Sequence, residues 1–289
     1  MGTESVPMEL DKCIKLATYK MKIIRETIVA GRTILRSLHP GVGKRTPGLK
    51  RKARENQTPE KVARVNYRNA VKKLTAILNH NFRDGDYHIT LTYAEEADPQ
   101  QAKERLEKFL RNVHDYCKRH DIPWKRVTVT EYENRRIHHH VVCSGIDREI
   151  IESRWKYGHV NFRELYSKGC YHELADYLVK ETEKTFRRPD AVSRQRYNPS
   201  RNIVVPVPKI EEVSKAQLDR DPKPLKGYYI VSGTENRYEH EFYEIDCLEY
   251  IEATDAPVPR IRRWKRGKPG KYEKLYKANE DQLEWELEV

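Results

Sequence analysis

From Tyr87 to Tyr93 apolar and polar side chains alternate one by one, Tyr-His-Ile-Thr-Leu-Thr-Tyr, which is the period of a strand. Asp98-Pro99 then reads as a helix cap followed by an N1 proline, and Ala102, Leu106, Phe109, Leu110, Val113 and Cys117 fall on one helical face. Residues 126–132 and 137–144 pattern as two strands of a hairpin. A short helix is predicted over 147–156, a short strand over 159–163 and a helix from Tyr171 to Lys184. Upstream, the mixed, basic stretch 8–38 reads as helical, and Thr58-Pro59-Glu60 starts a helix running to about Asn79. After Pro189 the chain is proline-rich and irregular to about Pro224, and Tyr228–Val231 and Tyr238–Tyr250 suggest a second, smaller β element.

The order strand, helix, strand, strand, helix, strand, helix predicts an α+β fold of the ferredoxin-like or RRM-like kind, a central antiparallel sheet flanked by helices. Three regions are expected: a basic helical N-terminal extension over 1–80 with a flexible arm at 40–58, the α+β domain over 81–188, and an irregular and β region over 189–289.

Charge adds a class of partner. Lys and Arg total 56 against 44 Asp and Glu in 289 residues, a formal charge of +12. Such an excess suits a polyanion-binding surface, since each neutralised phosphate releases counterions. Two runs concentrate it: Lys44, Arg45, Lys50, Arg51, Lys52 and Arg54, and Arg262, Arg263, Lys265 and Arg266 within the basic tail 260–277, which also carries Trp264, Tyr272 and Tyr276. Both are candidate DNA-binding segments; a solvated charge run explains them equally well. Gly43-Lys44 is no phosphate loop, because Leu38 and Arg45 stand where Gly and Ser or Thr are required. The five scattered cysteines have no C-x-x-C spacing and read as reduced thiols. No apolar run approaches the roughly 20 residues of a membrane span, so a cytoplasmic protein without a membrane partner is expected.

Candidate chemistry sits on the hairpin. Along residues 137–144, His138 and His140 share one face while His139 points to the other. A two-residue Asn134-Arg135 turn, or a four-residue 133–136 loop, sets Glu131 opposite His138. Opposed Cβ atoms lie about 5 Å apart, so Glu131, His138 and His140 converge. Two imidazoles and a carboxylate hold a divalent ion and leave positions open for substrate. In the closing helix Tyr177 and Lys180, three residues apart, share a face and could present a phenol and an ammonium together. A tyrosinate is a competent nucleophile at phosphorus. Tyr171 is a rival, about 240° away by helix rotation, and a core tyrosine is the plainer reading of Tyr177 taken alone.

These residues resemble the HUH endonucleases, in particular the single-tyrosine rolling-circle replication-associated proteins of bacterial plasmids, phages and integrated elements. Ile89-Thr-Leu-Thr-Tyr93 looks like the family's first motif, Ile137-His-His-His-Val141 like its second and Tyr177-Leu-Val-Lys180 like its third, within residues 80–186. Glu131 and Arg136 fit its Glu…Arg-x-His pattern, which would make Glu131 the third ligand; Arg136 is a further candidate for DNA contact. Trp155-Lys-Tyr-Gly-His-Val160 is similar to the family's connecting segment. The middle place, apolar or aromatic in the family, holds His139, which leaves open which histidine pair binds; spacing and the Glu131 register favour 138 with 140.

The resemblance implies Mg²⁺ or Mn²⁺ on the scissile phosphate of single-stranded or hairpin origin DNA. It implies attack by Tyr177, a 5′-phosphotyrosyl link and a free 3′-OH primer, with host helicase and polymerase in trans. With one well-placed tyrosine, joining needs a dimer on DNA or a hydrolytic step. Relaxases carry the tyrosine ahead of the histidines and transposases of this type are shorter. A non-catalytic nucleic-acid binder would expose aromatics on the central strands. An inactive initiator is a further alternative.

Overall fold

The computed structural model describes residues 22–41, 60–132, 136–166, 169–182, 195–242 and 245–256. The two basic segments singled out above, the helical expectation over 8–21 and the turn residues Asn134 and Arg135 lie outside the described residues. The rest falls into two units, residues 67–206 and the segments flanking them.

The unit 67–206 contains the α+β domain. Its sheet runs β6 (Val160–Glu164), β3 (Tyr87–Thr92), β5 (His138–Cys143), β4 (Arg126–Glu131), β7 (Asn198–Pro199), every pairing antiparallel. The first four strands reproduce the spatial order 4-1-3-2 of a ferredoxin-like sheet, as the chain order of elements predicts.

Strand alternation gives the sheet two faces. One carries Ile89, Leu91, Val141 and Cys143, packed against α2 (Pro99–Arg119) through Ala102, Leu106, Phe109, Val113 and Cys117, with Ile151 of α3 (Arg148–Glu152) and Trp155. Asp98 caps α2 as expected, its carboxylate accepting from the Gln100 and Gln101 amides. The other face carries Val127, Val129 and Val142, covered by Val71, Leu74, Ile77 and Leu78 of α1 (Glu60–Asn81) and by Ala175, Leu178 and Val179 of α4 (His172–Glu181). The sequence assigned α1 to an N-terminal extension; from Tyr67 on it belongs to this unit, because its apolar stripe has the valine face to bury.

The flanking segments form a second sheet, ordered β10 (Asn236–Glu239), β11 (Asp246–Ala253), β2 (Thr33–Pro40), β1 (Ile23–Ala30), β8 (Lys209–Val213), with β9 (Tyr229–Ile230) on β11. Here the helical expectation over 8–38 is corrected. Ile23–Ala30 and Thr33–Pro40 are a hairpin in register Ala30 to Thr33. Its strands are rich in β-branched Ile, Val and Thr, which lose rotamer freedom in helices, and Gly31 takes the positive φ of 62° that a two-residue turn requires. The β element expected over 238–250 falls on β10 and β11, which pair antiparallel, and the segment expected to be irregular contains β8 and α5 (Lys215–Asp219).

Candidate active site

Glu131 ends β4 and pairs directly with His138, while Val129 pairs with His140, the register expected from the sequence. On the same face Thr92 of β3 lies opposite His138 and Thr90 opposite His140. Ligand atoms of Glu131, His138 and His140 all lie within 4.8 Å of one another, and His138 Nε2 stands 2.8 Å from Glu131 Oε2. Neighbouring donors around an octahedral Mg²⁺ sit about 3 Å apart, so the set fits a divalent cation after a small side-chain adjustment. Nδ1 of His138 faces the Arg136 carbonyl at 3.2 Å. With that N–H donated, Nε2 is the nitrogen that faces the Glu131 carboxylate and the cluster.

His139 is fully buried on the opposite face. Its Nδ1 lies 2.8 Å from the Thr130 hydroxyl and its Nε2 2.8 Å from the Tyr93 hydroxyl, which itself donates to the Ala102 carbonyl at 3.1 Å. One assignment satisfies all three groups: Thr130 donates to Nδ1, Nε2–H donates to Tyr93, and Tyr93 donates to α2. Burial pulls the His139 pKa down to about 3 and keeps the ring neutral. Both nitrogens are therefore used in the core, and His138 and His140 are the two rings of the three that face Glu131.

His140 is buried but for its edge. Nδ1 is 3.1 Å from His88 Nε2 and 3.4 Å from the Thr90 hydroxyl, and Nε2 is 3.4 Å from the Tyr177 hydroxyl. Burial first, then the neighbouring imidazoles, lower its pKa to about 3, so it presents a neutral ring with a lone pair available to a cation.

The tyrosine is positioned by α4, and α4 by α1. Asn79 Oδ1 accepts the Tyr171 amide at 2.8 Å, Thr75 and His172 meet at 3.3 Å, and Tyr67 donates to Asp176 at 2.8 Å. These contacts, with the buried Ala175, Leu178 and Val179, fix the helix rotation so that Tyr177 comes over His140. The two rings meet edge to face at 5.4 Å, and Tyr177 remains 41% exposed, open to substrate. Tyr171, the rival, precedes the helix as its N-cap, is 3% exposed in the core and donates to Asp84 at 3.3 Å. A phenol so enclosed is closed to solvent.

Lys180, one turn beyond Tyr177, is exposed, and among the described residues its side chain makes no hydrogen bond or ion pair. Arg136 donates from Nη1 to the Ala94 carbonyl at 3.2 Å, tying the hairpin end to the chain after β3. His88 is the neighbour sequence reasoning missed. It occupies the polar register of β3, two residues before Thr90 and thus on the face of His140. Its ring lies 5.2 Å from His140 and 6.4 Å from Tyr177, and burial lowers its pKa to about 4.

The fold and site together are those of an α+β domain with a His-x-His pair, a carboxylate in register and a helix-borne phenol beside them. Residues 86–186 match the family model described as replication-associated protein ORF2/G2P, a span running from the start of β3 past the end of α4. No curated protein and no solved structure matches the chain. Among the described residues, no helix is long and apolar enough to cross a membrane.

Proposed function

We propose that this chain initiates rolling-circle DNA replication by nicking single-stranded or hairpin origin DNA, with Tyr177 as nucleophile. The observation that carries the reading is the Tyr177 hydroxyl 3.4 Å from Nε2 of His140, beside the Glu131–His138–His140 set. The match of residues 86–186 to a replication-associated family supports the same role.

Glu131, His138 and His140 would hold Mg²⁺ or Mn²⁺. The cation would polarise the scissile phosphate and offset its charge. Tyr177 attacks phosphorus in line with the 3′ oxygen, and its proton passes to solvent. The bond from phosphorus to that oxygen breaks and the oxygen takes a proton from solvent, leaving DNA joined to Tyr177 through a 5′-phosphotyrosyl ester and a free 3′-OH that primes synthesis. Lys180, on the same helix, contributes positive charge as the five-coordinate phosphorus forms. Host helicase and polymerase act in trans, and joining of the displaced strand draws on a second subunit or on hydrolysis. A non-catalytic single-strand binder fits less well, since the site face of β3 and β5 carries histidines and threonines, not exposed aromatics.

The test is a cleavage assay on oligonucleotides tiling the replicon that encodes the protein, with Mn²⁺. Wild type is expected to form a covalent adduct that EDTA prevents and Tyr177→Phe abolishes. Adduct formation by Tyr177→Phe at the wild-type rate would contradict the assignment.

A further inference from the structure

His88 is an imidazole at 8% exposure on a face whose neighbouring positions, Val127, Val129 and Val142, are aliphatic. Val142 is its direct partner on β5 and Arg163 its partner on β6. An apolar side chain would fill this space at no polar cost, so a buried ring here needs a polar reason. The geometry supplies one, since Nε2 of His88 stands 3.1 Å from Nδ1 of His140. Only one proton can lie between the two nitrogens. If His88 accepts, His140 is the Nδ1–H tautomer and its Nε2 keeps a lone pair. If His88 donates, His140 carries its proton on Nε2, the nitrogen that lies toward Tyr177 and is left for a cation. The ring of His88 also packs against His140 at an interplanar angle of 39° and meets Tyr177 edge to face, so it limits the swing of both.

We propose that His88 is a positioning residue of the metal centre, accepting Nδ1–H of His140 and thereby fixing the tautomer and ring angle in which His140 Nε2 faces the cation. The inference rests on the metal-site reading above and adds a residue to it. Thr90, 3.4 Å from the same Nδ1, is the weaker partner by distance, and its hydroxyl can turn to accept in support. The arrangement parallels the hydrogen bond from His138 Nδ1 to the Arg136 carbonyl, so each histidine has Nδ1 held by the protein and Nε2 turned into the cluster, His138 toward Glu131 and His140 toward Tyr177.

Long-range ¹⁵N imidazole spectra of the full-length, metal-free protein read the tautomer directly. Wild-type His140 is expected as Nδ1–H with an unprotonated Nε2; a dominant Nε2–H form would overturn the proposal without any variant. Mn²⁺ titration then supplies an affinity that needs no DNA and no turnover. His88→Phe, which keeps a ring and removes the acceptor, is expected to weaken Mn²⁺ binding by roughly 10- to 100-fold, the usual effect of losing a partner behind a ligand. His88→Gln, whose amide oxygen can accept, should recover most of that loss. A folded His88→Phe that bound Mn²⁺ as tightly as wild type would overturn the assignment of His88 alone. If His88→Phe failed to fold, His88→Gln would decide with the spectra: near-wild-type affinity with His140 still Nδ1–H supports the proposal, and a switch to Nε2–H with unchanged affinity overturns it. A wild type that bound no Mn²⁺ would overturn the metal site itself and this proposal with it.

Discussion

At the scale of single residues, three consecutive histidines have three different surroundings, and strand alternation alone separates them. His138 and His140 face the carboxylate and the phenol, whereas His139 is buried between Thr130 and Tyr93. His139→Leu should therefore cost about 1 kcal/mol, because Tyr93 keeps its bond to Ala102 and only the Thr130 hydroxyl loses its acceptor. Urea unfolding checks that cost, and Mn²⁺ affinity should stay within about twofold of wild type, the effect of a residue outside the coordination sphere. Loss of Mn²⁺ binding by a folded His139→Leu would mean that His139 is a ligand after all. The period of two and the Glu131 register made the cluster legible from the sequence. His88 was not legible, because its partner lies 52 residues away and the pairing of β3 with β5 is a long-range event no local pattern encodes. Nor could spacing show that Tyr171 lies in the core while Tyr177 is exposed, a difference that depends on tertiary packing.

At the scale of elements, the site depends on how closely β6 approaches β3. The chain entering β6 lies against the end of β3, with the Ala94 amide bonded to the Tyr157 carbonyl at 2.9 Å and the Thr92 amide to the His159 carbonyl at 3.0 Å. Between them sits Gly158, where an added Cβ would stand 2.2 Å from the Thr92 carbonyl oxygen and 2.7 Å from the Ala94 nitrogen. Backbone cannot move aside as a side chain can, so Gly158→Ala must part the two segments. It is expected to destabilise the fold by about 1–3 kcal/mol and to weaken Mn²⁺ binding, since Thr92 lies opposite His138. Thermal unfolding unchanged from wild type would show that the approach is looser than described. The sequence marked Trp155–Val160 as a connecting segment without the reason for its glycine, which is a contact between strands. The N-terminal hairpin failed to show for a related reason. Ile24 with Ile28 and Ile34 with Leu38 have helical spacing, and only the β-branched run with Gly31 between argues for strands. That hairpin finds its partners, β8 and β11, more than 170 residues downstream.

At the scale of the whole molecule, acid should unfold the metal-free protein. His80 and His88 have pKa values lowered to about 4, and His139 and His140 to about 3, with burial the largest cause in each. In the unfolded chain each titrates near 6.5. Below that pH the unfolded state binds protons that the folded state refuses. Stability contributed by neutral burial is thus intact above pH 6.5 and falls toward pH 4, at up to about 1.4 kcal/mol per pH unit for each histidine. Denaturant midpoints measured from pH 7.5 to 4.5 should drop steadily, and a flat profile would contradict the burial of these rings. Saturating Mn²⁺ should displace part of the loss to lower pH, because protons and cation compete for the ring of His140.

Tyr177 is the proposed carrier of the DNA, and the linkage site in the adduct reads that residue out. Trypsin digestion of the covalent adduct should release residues 169–180, which contain both Tyr171 and Tyr177, with a nucleotide remnant attached. Fragmentation by tandem mass spectrometry is expected to place the phosphate on Tyr177. A remnant on Tyr171, or on a peptide outside α4, would contradict the account.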